Sequence, residues 1–317
     1  MAVKMSGVTL SVIIPVYNAE KYLFSCLKSV FKAVALSKVS TEVILVDNDS
    51  TDGSLLVAKK FAKETPLKIQ VLECHTKGAA AARNYGVSKA SGKYIWFVDA
   101  DDKISDHSIK LLVCEAEKTR ADIVMMGATR MYPDRHSDYL SAVKPSEPSY
   151  KSRFVRYGAG PWQFLFLRSW WASHGFSFKE GIIHEDMEMI SSLILYTDRF
   201  SAVDKPLYIY YQNDDSVLHK ASWDPHYLDI FPALTGLFAR FKEVGMADKY
   251  HDELEWFFIW NLLIDSSRDF AKFREGRVGF KKSREILKKY FPNWRKNRFL
   301  REKPLKLRIR VRLNYHK

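Results

Sequence analysis

The first hundred residues alternate between short apolar runs and segments with helical spacing. Four of the runs are rich in β-branched or aromatic residues and are too short for helices, so each is predicted to be a buried strand. Strands that alternate with helices favour parallel βαβ units, and therefore an α/β fold with a doubly wound, mostly parallel sheet flanked by helices. The predicted strands are Val8–Val16, Thr41–Val46, Ile69–Glu73 and Tyr94–Val98.

The pattern becomes less regular after residue 102. A helix is predicted at Leu111–Ala116, and further strands are predicted at Ile123–Gly127 and Tyr208–Asn213. The segment Tyr132–Tyr150 is rich in Pro, Ser and charged residues, which is typical of a surface loop. From about Pro225 the apolar residues recur with helical spacing, so the end of the chain is predicted to be helical.

The positive charge of the chain is concentrated at one end. The 317 residues carry 50 Lys and Arg against 37 Asp and Glu, which gives a formal net charge of +13. Residues 272–317 contain 18 Lys and Arg but only three Asp and Glu, whereas the rest of the chain is close to neutral. We therefore predict a domain over residues 1–215 and a helical, strongly basic region over residues 216–317.

The basic region has two interpretations. It is either a solvated helical face or a surface that docks on an anionic membrane, for which aromatic side chains among the cations are suited. No apolar run reaches the length of about 18 residues that spans a bilayer, so the expected location is cytoplasmic, with a peripheral position on the inner face of the cell membrane. The aromatic residues are Phe273, Phe280, Tyr290, Phe291, Trp294 and Phe299.

Composition excludes other classes of protein. A chain with 47% hydrophobic and 27% charged residues can bury a core, which excludes a disordered protein. The three cysteines are far apart and form no CxxC pair, which argues against a disulfide scaffold or a zinc knuckle.

Acidic residues follow two of the predicted strands, at Asp47–Asp52 and Asp99–Asp102. In doubly wound sheets ligands collect at the carboxyl ends of the strands, so both clusters are candidates for a binding site. The carboxylates of Asp99–Asp102 could hold a divalent cation on a diphosphate, and those of Asp47–Asp52 could accept from a base N–H or a ribose hydroxyl. Ordinary acidic turns are the alternative explanation for both.

Two further segments carry side chains suited to a site. Lys77–Gly86 places Arg83 beside two glycines at a helix start, where it could hold a loop or a phosphate oxygen. A close-packed helix face explains its alanines equally well. Glu185 and Asp186 precede an apolar helical stretch, where a carboxylate either acts as a base in a cleft or simply favours the helix dipole.

Taken in order, these residues resemble the family 2 glycosyltransferases, which have the GT-A fold. The resemblance covers about residues 8–215. The family usually has Gly where this chain has Asp49, and Asp tolerates left-handed dihedral angles well enough for that turn to form. The segments that carry the resemblance are Ser11–Asn18, Asp47–Gly53, Gly78–Gly86 (G-x-x-x-A-R-N-x-G), Asp99–Asp102 (DxD), Gly160–Trp162 and the pair Glu185–Asp186.

The resemblance implies transfer of a sugar, with inversion, from a nucleotide-sugar, most often a UDP-sugar. The implied acceptor is a hydroxyl of a glycan or a lipid-linked intermediate in cell-envelope or capsule polysaccharide synthesis. Asp186 would be the base, with Glu185 beside it, and Trp162 would lie on the acceptor side. Asp101 would hold Mg²⁺ or Mn²⁺ on the diphosphate. The residues implied around the nucleotide-sugar are Pro15, Tyr17, Glu20, Asp47, Arg83, Asp99, Ala100 and Asp101.

Two other functions stay open from the residues alone. A nucleotidyltransferase also combines a doubly wound sheet with acidic metal ligands, but it forms a nucleotide-sugar and releases pyrophosphate. A nucleic-acid-binding protein would use the basic end of the chain, although the strand-end acids would repel phosphate unless they hold a metal. The resemblance favours the glycosyltransferase, with no nucleic acid among its partners.

Overall fold

A computed structural model describes residues 7–134, 136–212 and 222–317 of the chain. The chain divides into two compact units. The first unit comprises Met1–Pro148, Gly160–Gly181 and Thr197–Asp214, and the second comprises Ser149–Ala159, Ile182–Tyr196 and Asp215–Lys317. Two internal segments from the region predicted as one domain over residues 1–215 therefore group with the helical end of the chain.

The described part of the first unit is built on a nine-stranded mixed sheet. Its strands are β1 (Leu10–Val16), β2 (Thr41–Asp47), β3 (Lys68–Glu73), β4 (Tyr94–Phe97), β5 (Lys103–Ile104), β6 (Ile123–Met131), β7 (Ser137–Leu140), β8 (Phe164–Leu167) and β9 (Phe200–Tyr211). The four strands predicted first lie next to one another and run parallel, in the order β3-β2-β1-β4. The predicted α/β fold with a mostly parallel first half is confirmed.

The position of β1 creates the crevice that such sheets use for ligands. β1 pairs with β2 on one side and with β4 on the other, so the chain order reverses at this strand. A switch of this kind leaves an opening outside the carboxyl ends of the strands. The turns that follow β1, β2 and β4 carry most of the residues predicted for the site.

The sheet departs from the sequence prediction on its other side. β8 lies antiparallel between β4 and β6, and no strand was predicted there because its four residues are too few for a period to show. The predicted surface loop Tyr132–Tyr150 contains β7, which pairs antiparallel with β6. The predicted strand Tyr208–Asn213 is the end of the longer β9, and Asn213 lies outside the described residues.

Helices make up much of the rest of the described chain. In the described residues they are α1 (Glu20–Ser37), α2 (Ser54–Glu64), α3 (Ala79–Lys89), α4 (Ser108–Thr119), α5 (Tyr150–Tyr157), α6 (Arg168–Ser173), α7 (Glu185–Ile190), α8 (Ile230–Glu243), α9 (His251–Trp260), α10 (Ser266–Lys272), α11 (Arg277–Tyr290), α12 (Arg298–Arg301) and α13 (Leu305–His316). Leu23, Leu27 and Val30 of α1 pack into the core against buried strand residues such as Val12 and Trp96.

The described part of the second unit is helical, as predicted for the end of the chain. It has its own core, because α8 buries Leu234 and Leu237 and α9 buries Leu254 and Phe258 completely. A single π-helical turn, Asn261–Asp265, joins α9 to α10. Among the described residues, no helix combines the length and the apolar character that crossing a bilayer requires.

Most of the aromatic residues predicted to suit an interface are buried. Phe280, Phe291, Trp294 and Phe299 are buried, so for these four the expectation is wrong, whereas Phe273 and Tyr290 are half-buried. Their burial follows from the hydrophobic effect, since a large ring gains most when its whole surface leaves water. The cations between them occupy the exposed helix positions.

Candidate functional site

The turns that follow β1 and β2 hold each other in place. Asn18 lies between β1 and α1, and its Oδ1 atom accepts a hydrogen bond from the Thr51 N–H at 2.8 Å. The Glu20 Oε2 atom accepts from the Gly53 N–H, also at 2.8 Å. The Glu20 carboxylate therefore stabilises the acidic turn. Glu20 was predicted to lie around the nucleotide, and this hydrogen bond gives it a structural role.

Asp47 offers a buried acceptor at the end of β2. Its side chain is only 4% exposed, and Oδ2 accepts from the Ser50 N–H at 3.2 Å. Oδ1 is also buried and has no hydrogen-bond partner among the described residues. A buried oxygen of this kind is costly unless a donor reaches it, so it fits a ligand N–H or hydroxyl. At the end of β1, Pro15 is half-buried and Tyr17 is 55% exposed.

Asn48 fastens a third loop to the same edge of the sheet. Its Nδ2 atom donates to the carbonyl oxygens of Cys74 at 2.8 Å and Thr76 at 2.7 Å. Its Oδ1 atom accepts from the Gly78 N–H at 2.7 Å. Gly78 has a φ of 110°, which a side chain would strain, so the glycine is needed where α3 starts. Sequence reasoning missed Asn48 as an anchor, although its place within an acidic turn was a usable signal.

Asp49 occupies the position where the resembled family usually has glycine. Its φ is 56°, so the prediction that Asp adopts the left-handed conformation in this turn is confirmed. The Asp49 Oδ1 atom lies 2.7 Å from His75 Nδ1, and both side chains are exposed. This hydrogen bond, together with the charge of Asp49, raises the pKa of His75 above its usual value.

We expect Asp49→Gly to keep the turn and to return the pKa of His75 towards about 6.5. Glycine adopts a positive φ without strain, so only the carboxylate is lost. Because the pKa of His75 is raised in the folded state, the pair stabilises the protein below the unfolded pKa, and that contribution disappears as the pH rises through the folded value. An NMR titration of His75 measures the shift, with Asp49→Asn as the uncharged control. An unchanged pKa in both variants would contradict the pairing.

Arg83 and Asp99 connect α3 to the turn after β4. The Arg83 Nη2 atom donates to Asp99 Oδ1 at 3.0 Å, and the Arg83 side chain is 8% exposed. The guanidinium also lies over the Phe178 ring, 5.6 Å from its centroid. A buried arginine so held places a fixed positive charge beside the carboxylates. The structure therefore brings together these two predicted nucleotide-sugar residues.

Tyr208, which was not predicted, organises the acidic turn itself. Its hydroxyl donates to Asp102 Oδ2 at 2.8 Å and accepts from the Asp99 N–H at 3.0 Å. Asp102 Oδ1 accepts from the Tyr211 N–H at 2.8 Å. Both oxygens of the buried Asp102 carboxylate thus have a donor, whereas Asp101 is half-buried. Ala100, between Asp99 and Asp101, is buried. No sequence signal distinguished Tyr208 from the other tyrosines of β9.

The three carboxylates of this turn create a negative potential that the protein only partly balances. Burial and the charges of Asp99 and Asp101 raise the pKa of Asp102 well above its usual value. Burial and the same cluster raise the pKa of Cys26 and bring that of Tyr210 to about 12. Such a potential fits a divalent cation.

The turn does not hold a complete set of protein ligands for a cation. Among the described residues, three metal-ligating side-chain atoms come close together only at His251, Asp252 and Glu255. There, Arg298 already pairs with Asp252 and Asn297 donates to Glu255. At the turn after β4, a cation would therefore need oxygen ligands from a second molecule, such as a diphosphate, and from water.

We expect Tyr208→Phe to lower the free energy of unfolding by about 1–3 kcal/mol, because the buried Asp102 Oδ2 and the Asp99 N–H lose a partner. We also expect it to weaken binding of Mn²⁺ in the presence of UDP, since the turn is no longer fixed. Urea denaturation and Mn²⁺ titration measure the two effects. The matched control is Tyr210→Phe, whose hydroxyl makes no hydrogen bond among the described residues. Equal behaviour of the two variants would show that the Tyr208 hydroxyl has no special role.

Trp162 packs behind the turn. Its ring is 8% exposed and stacks on Tyr208 at 4.5 Å and on Tyr210 at 5.3 Å between ring centroids. Its carbonyl oxygen accepts from the Trp96 indole N–H at 2.8 Å. A Cβ atom at Gly160 would come within 2.4 Å of the Trp162 ring, so glycine is required there. These contacts make Trp162 a support of Tyr208, and its predicted contact with an acceptor stays a prediction.

Glu185 and Asp186 belong to the second unit, where they open the short helix α7. Glu185 is buried and Asp186 is half-buried. His184 precedes them with a φ of 68°, and burial lowers its pKa. The Ile183 N–H donates to Asp229 Oδ2 at 3.0 Å, which fixes the entry to the helix. Both carboxylates lie in the first turn of α7, where negative charge favours the helix dipole.

Three comparisons with known proteins bear on this site. A family model described as glycosyl transferase family 2 matches residues 11–169. The uncharacterized glycosyltransferase EpsJ of Bacillus subtilis (strain 168) is 32% identical over 232 residues, which are 68% of this chain. Those residues cover 65% of EpsJ, so the chain spans just under two thirds of that relative's length.

Solved structures share the fold. The crystal structure of S. aureus TarS 1–349 in complex with UDP-GlcNAc matches 97% of this chain and 89% of that chain, with a TM-score of 0.75 and 19% identity. The mannosyltransferase PcManGT from Pyrobaculum calidifontis, in complex with GDP-Man and Mn²⁺, covers 98% of this chain and 88% of its own, with a TM-score of 0.53 and 16% identity.

Proposed function

Because the chain belongs to glycosyltransferase family 2, with the GT-A fold, we propose that it transfers a sugar from a nucleotide-sugar to a hydroxyl group. The proposed donor is a UDP-sugar, and the proposed acceptor is a glycan or a lipid-linked intermediate of a cell-envelope polysaccharide. The transfer inverts the configuration at the sugar carbon. Residues 1–215 are proposed as the nucleotide-sugar-binding and catalytic domain.

The concentration of negative charge in Asp99–Asp102 is the observation that carries this proposal. Three carboxylates follow β4 at the switch point of the sheet, where Arg83 pairs with Asp99. A nucleotide diphosphate would be repelled there unless a cation joins it. The turn therefore suits a ligand that arrives as a metal–diphosphate complex.

Asp101 is the residue that we propose as the protein ligand of Mg²⁺ or Mn²⁺. Asp101 completes the Asp-x-Asp pattern after β4, and its side chain is half-buried. A carboxylate at the end of a strand is a suitable ligand for a hard divalent cation. When bound, the cation would stabilise the charge that develops on the departing diphosphate. Arg83 and the Asp99 carboxylate would line the nucleotide beside it.

We propose that the base moiety and the ribose are recognised at the ends of β1 and β2. The buried Asp47 Oδ1 atom lacks a donor among the described residues, and the imide N–H of uracil is a donor of the required kind. Tyr17 is exposed at the end of β1, where a ring could cover the base. The ligand of the TarS complex, UDP-GlcNAc, contains uracil, which supports UDP as the nucleotide.

Asp186 is proposed as the base that takes the proton of the acceptor hydroxyl. The carboxylate must then be ionised before the reaction, and Glu185 beside it either raises its basicity or orients the acceptor. Trp162 is proposed to act on the acceptor side through the stack that it forms with Tyr208 and Tyr210.

A screen of donor hydrolysis and transfer tests this proposal. UDP-, GDP- and dTDP-sugars are each incubated with the protein in Mn²⁺, in Mg²⁺ and in excess chelator, and the released nucleotide is measured. We expect UDP release that depends on the metal and increases with an acceptor. Consumption of a nucleoside triphosphate and a sugar phosphate with release of pyrophosphate would instead identify a nucleotidyltransferase.

A further inference from the structure

Helix α13 is fixed in the second unit by one of its faces. Val311 is fully buried and Asn314 is 5% exposed. The Asn314 Nδ2 atom donates to the Leu263 carbonyl oxygen at 2.8 Å and to Ser267 Oγ at 3.0 Å. The Tyr315 ring packs on Trp294, with 5.1 Å between centroids. These contacts determine which face of the helix is left exposed.

The exposed face carries a row of aliphatic side chains. Leu305 is 66%, Ile309 48% and Leu313 61% exposed. Because they are spaced four residues apart, they lie one above another along the helix. We call these three residues the α13 stripe. Single exposed apolar residues are common, but a continuous row on one helix face marks a surface that contacts something apolar.

Cations border the α13 stripe on both sides. At about 100° per residue, Lys306, Arg310 and Lys317 lie on one flank, and Arg308 and Arg312 lie on the other. A groove of about 410 Å³ adjoins the stripe between α13 and α10. Four cations line this groove, and no acidic side chain is among the described residues that line it. We call it the cationic groove: Arg268, Lys306, Arg310 and Lys317.

The charges of this surface are not balanced by ion pairs among the described residues. Arg268, Lys306 and Arg310 take part in no ion pair within the part of the chain that the structure describes. From residue 272 onwards, only three acids accompany 18 bases. A partner must therefore supply negative charge for the groove and apolar surface for the stripe.

We propose that the α13 stripe and the cationic groove form a docking surface for an anionic lipid bilayer. A helix with an aliphatic row between two cationic borders lies in the plane of a membrane interface, with its apolar side chains among the acyl chains and its cations at the headgroup phosphates. This inference concerns the second unit alone and is independent of the donor and acceptor proposed above.

Two other partners fit the same surface less well. Nucleic acid would balance the cations, but it gains nothing from three aliphatic side chains, and none of the described residues that line the groove is an aromatic on which a base could stack. A second copy of the chain would cover the stripe, but it would bring two sets of like charges together. An anionic bilayer satisfies both the charge and the apolar row.

Co-sedimentation of the full chain with vesicles tests the proposal. One set of vesicles is phosphatidylcholine alone, and the other contains equal parts of phosphatidylcholine and phosphatidylglycerol. The first variant is Leu305→Ser/Ile309→Ser/Leu313→Ser, and the second is Lys306→Gln/Arg310→Gln. All five positions are exposed, so the fold is retained. The matched control is Leu56→Ser/Lys60→Gln, which changes an exposed leucine and lysine on α2 in the other unit.

We expect the wild-type chain and the control to bind the anionic vesicles, and each α13 variant to bind roughly tenfold or more weakly. High salt should weaken the binding of the wild-type chain to anionic vesicles. The binding that remains should depend on the α13 stripe. Equal binding to both vesicles, or wild-type binding by the stripe variant, would overturn the proposal. Binding of RNA in place of vesicles would overturn the proposal in favour of nucleic acid. A dimer in lipid-free solution that the stripe variant abolishes would overturn it in favour of a second copy of the chain.

Discussion

Asp101→Ala is expected to remove the metal-dependent transfer activity while the fold stays intact. Asp101 is a half-buried carboxylate of the turn after β4, and its neighbours Asp102 and Asp99 bind Tyr208, Tyr211 and Arg83. Neither neighbouring carboxylate can replace it without giving up those contacts. Because the cation balances the charge of the leaving diphosphate, we expect the rate to fall by about two orders of magnitude or more.

Three measurements separate this loss from other effects. Transfer is measured over a range of Mn²⁺ concentrations, the affinity for Mn²⁺ is measured in the presence of UDP, and thermal unfolding shows whether the fold survives. Asp106→Ala is the matched control, because Asp106 is a half-buried acid four residues after the turn whose side chain pairs with Lys32. Transfer by Asp101→Ala at the wild-type rate would show that Asp101 is only a turn residue. A low unfolding temperature would show that it supports the fold instead.

The sequence was sufficient to predict the half of the sheet that binds ligands in this fold. Strands β1, β2 and β4 are continuous apolar runs because they are buried in the interior of the sheet, and that pattern is visible without any long-range information. β7 and β8 were not predicted, since each is short and its pairing with β6 is not visible in the local pattern. The local pattern was therefore sufficient for the first four strands but not for these two.

The site could be located from the sequence, but its internal connections could not. The acidic turns lie at strand ends as expected, and Asp49 adopts the predicted left-handed conformation. The hydrogen bonds that fix these turns join residues far apart in the chain, such as Asn18 with Thr51 and Tyr208 with Asp102. Any polar residue near a turn could have made such a bond.

The basic region shows the same limit. Its charge was evident from composition, but composition does not say which side chains are buried. The aromatic residues form the core, and the exposed apolar surface is aliphatic, at Leu305, Ile309 and Leu313. Only the buried contacts of Val311 and Asn314 determine which side of α13 faces outwards.

We expect Asp186→Asn to reduce transfer by roughly 10²–10⁴-fold, which is the usual contribution of a positioned general base. The substitution keeps the shape of the side chain and removes its basicity. An Asp carboxylate with an ordinary pKa of about 3.9 is ionised at neutral pH and is a weak base. It suffices because the acceptor hydroxyl becomes acidic as its oxygen bonds to the sugar, so the proton is transferred late. Donor and metal affinity should therefore change little.

Two further variants show whether basicity is what Asp186 contributes. Glu185→Gln removes the neighbouring charge, so a smaller loss with a shifted pH profile would mean that Glu185 adjusts the basicity of Asp186. Asp248→Asn is the matched control, because Asp248 is an exposed acid of the same unit. If Asp186→Asn transfers sugar at a rate near that of this control, the residue only favours the dipole of α7 and another group is the base. If the affinity for the donor falls together with the rate, Asp186 supports the binding site. That outcome also excludes the role of general base, because the loss of rate then comes from weaker binding.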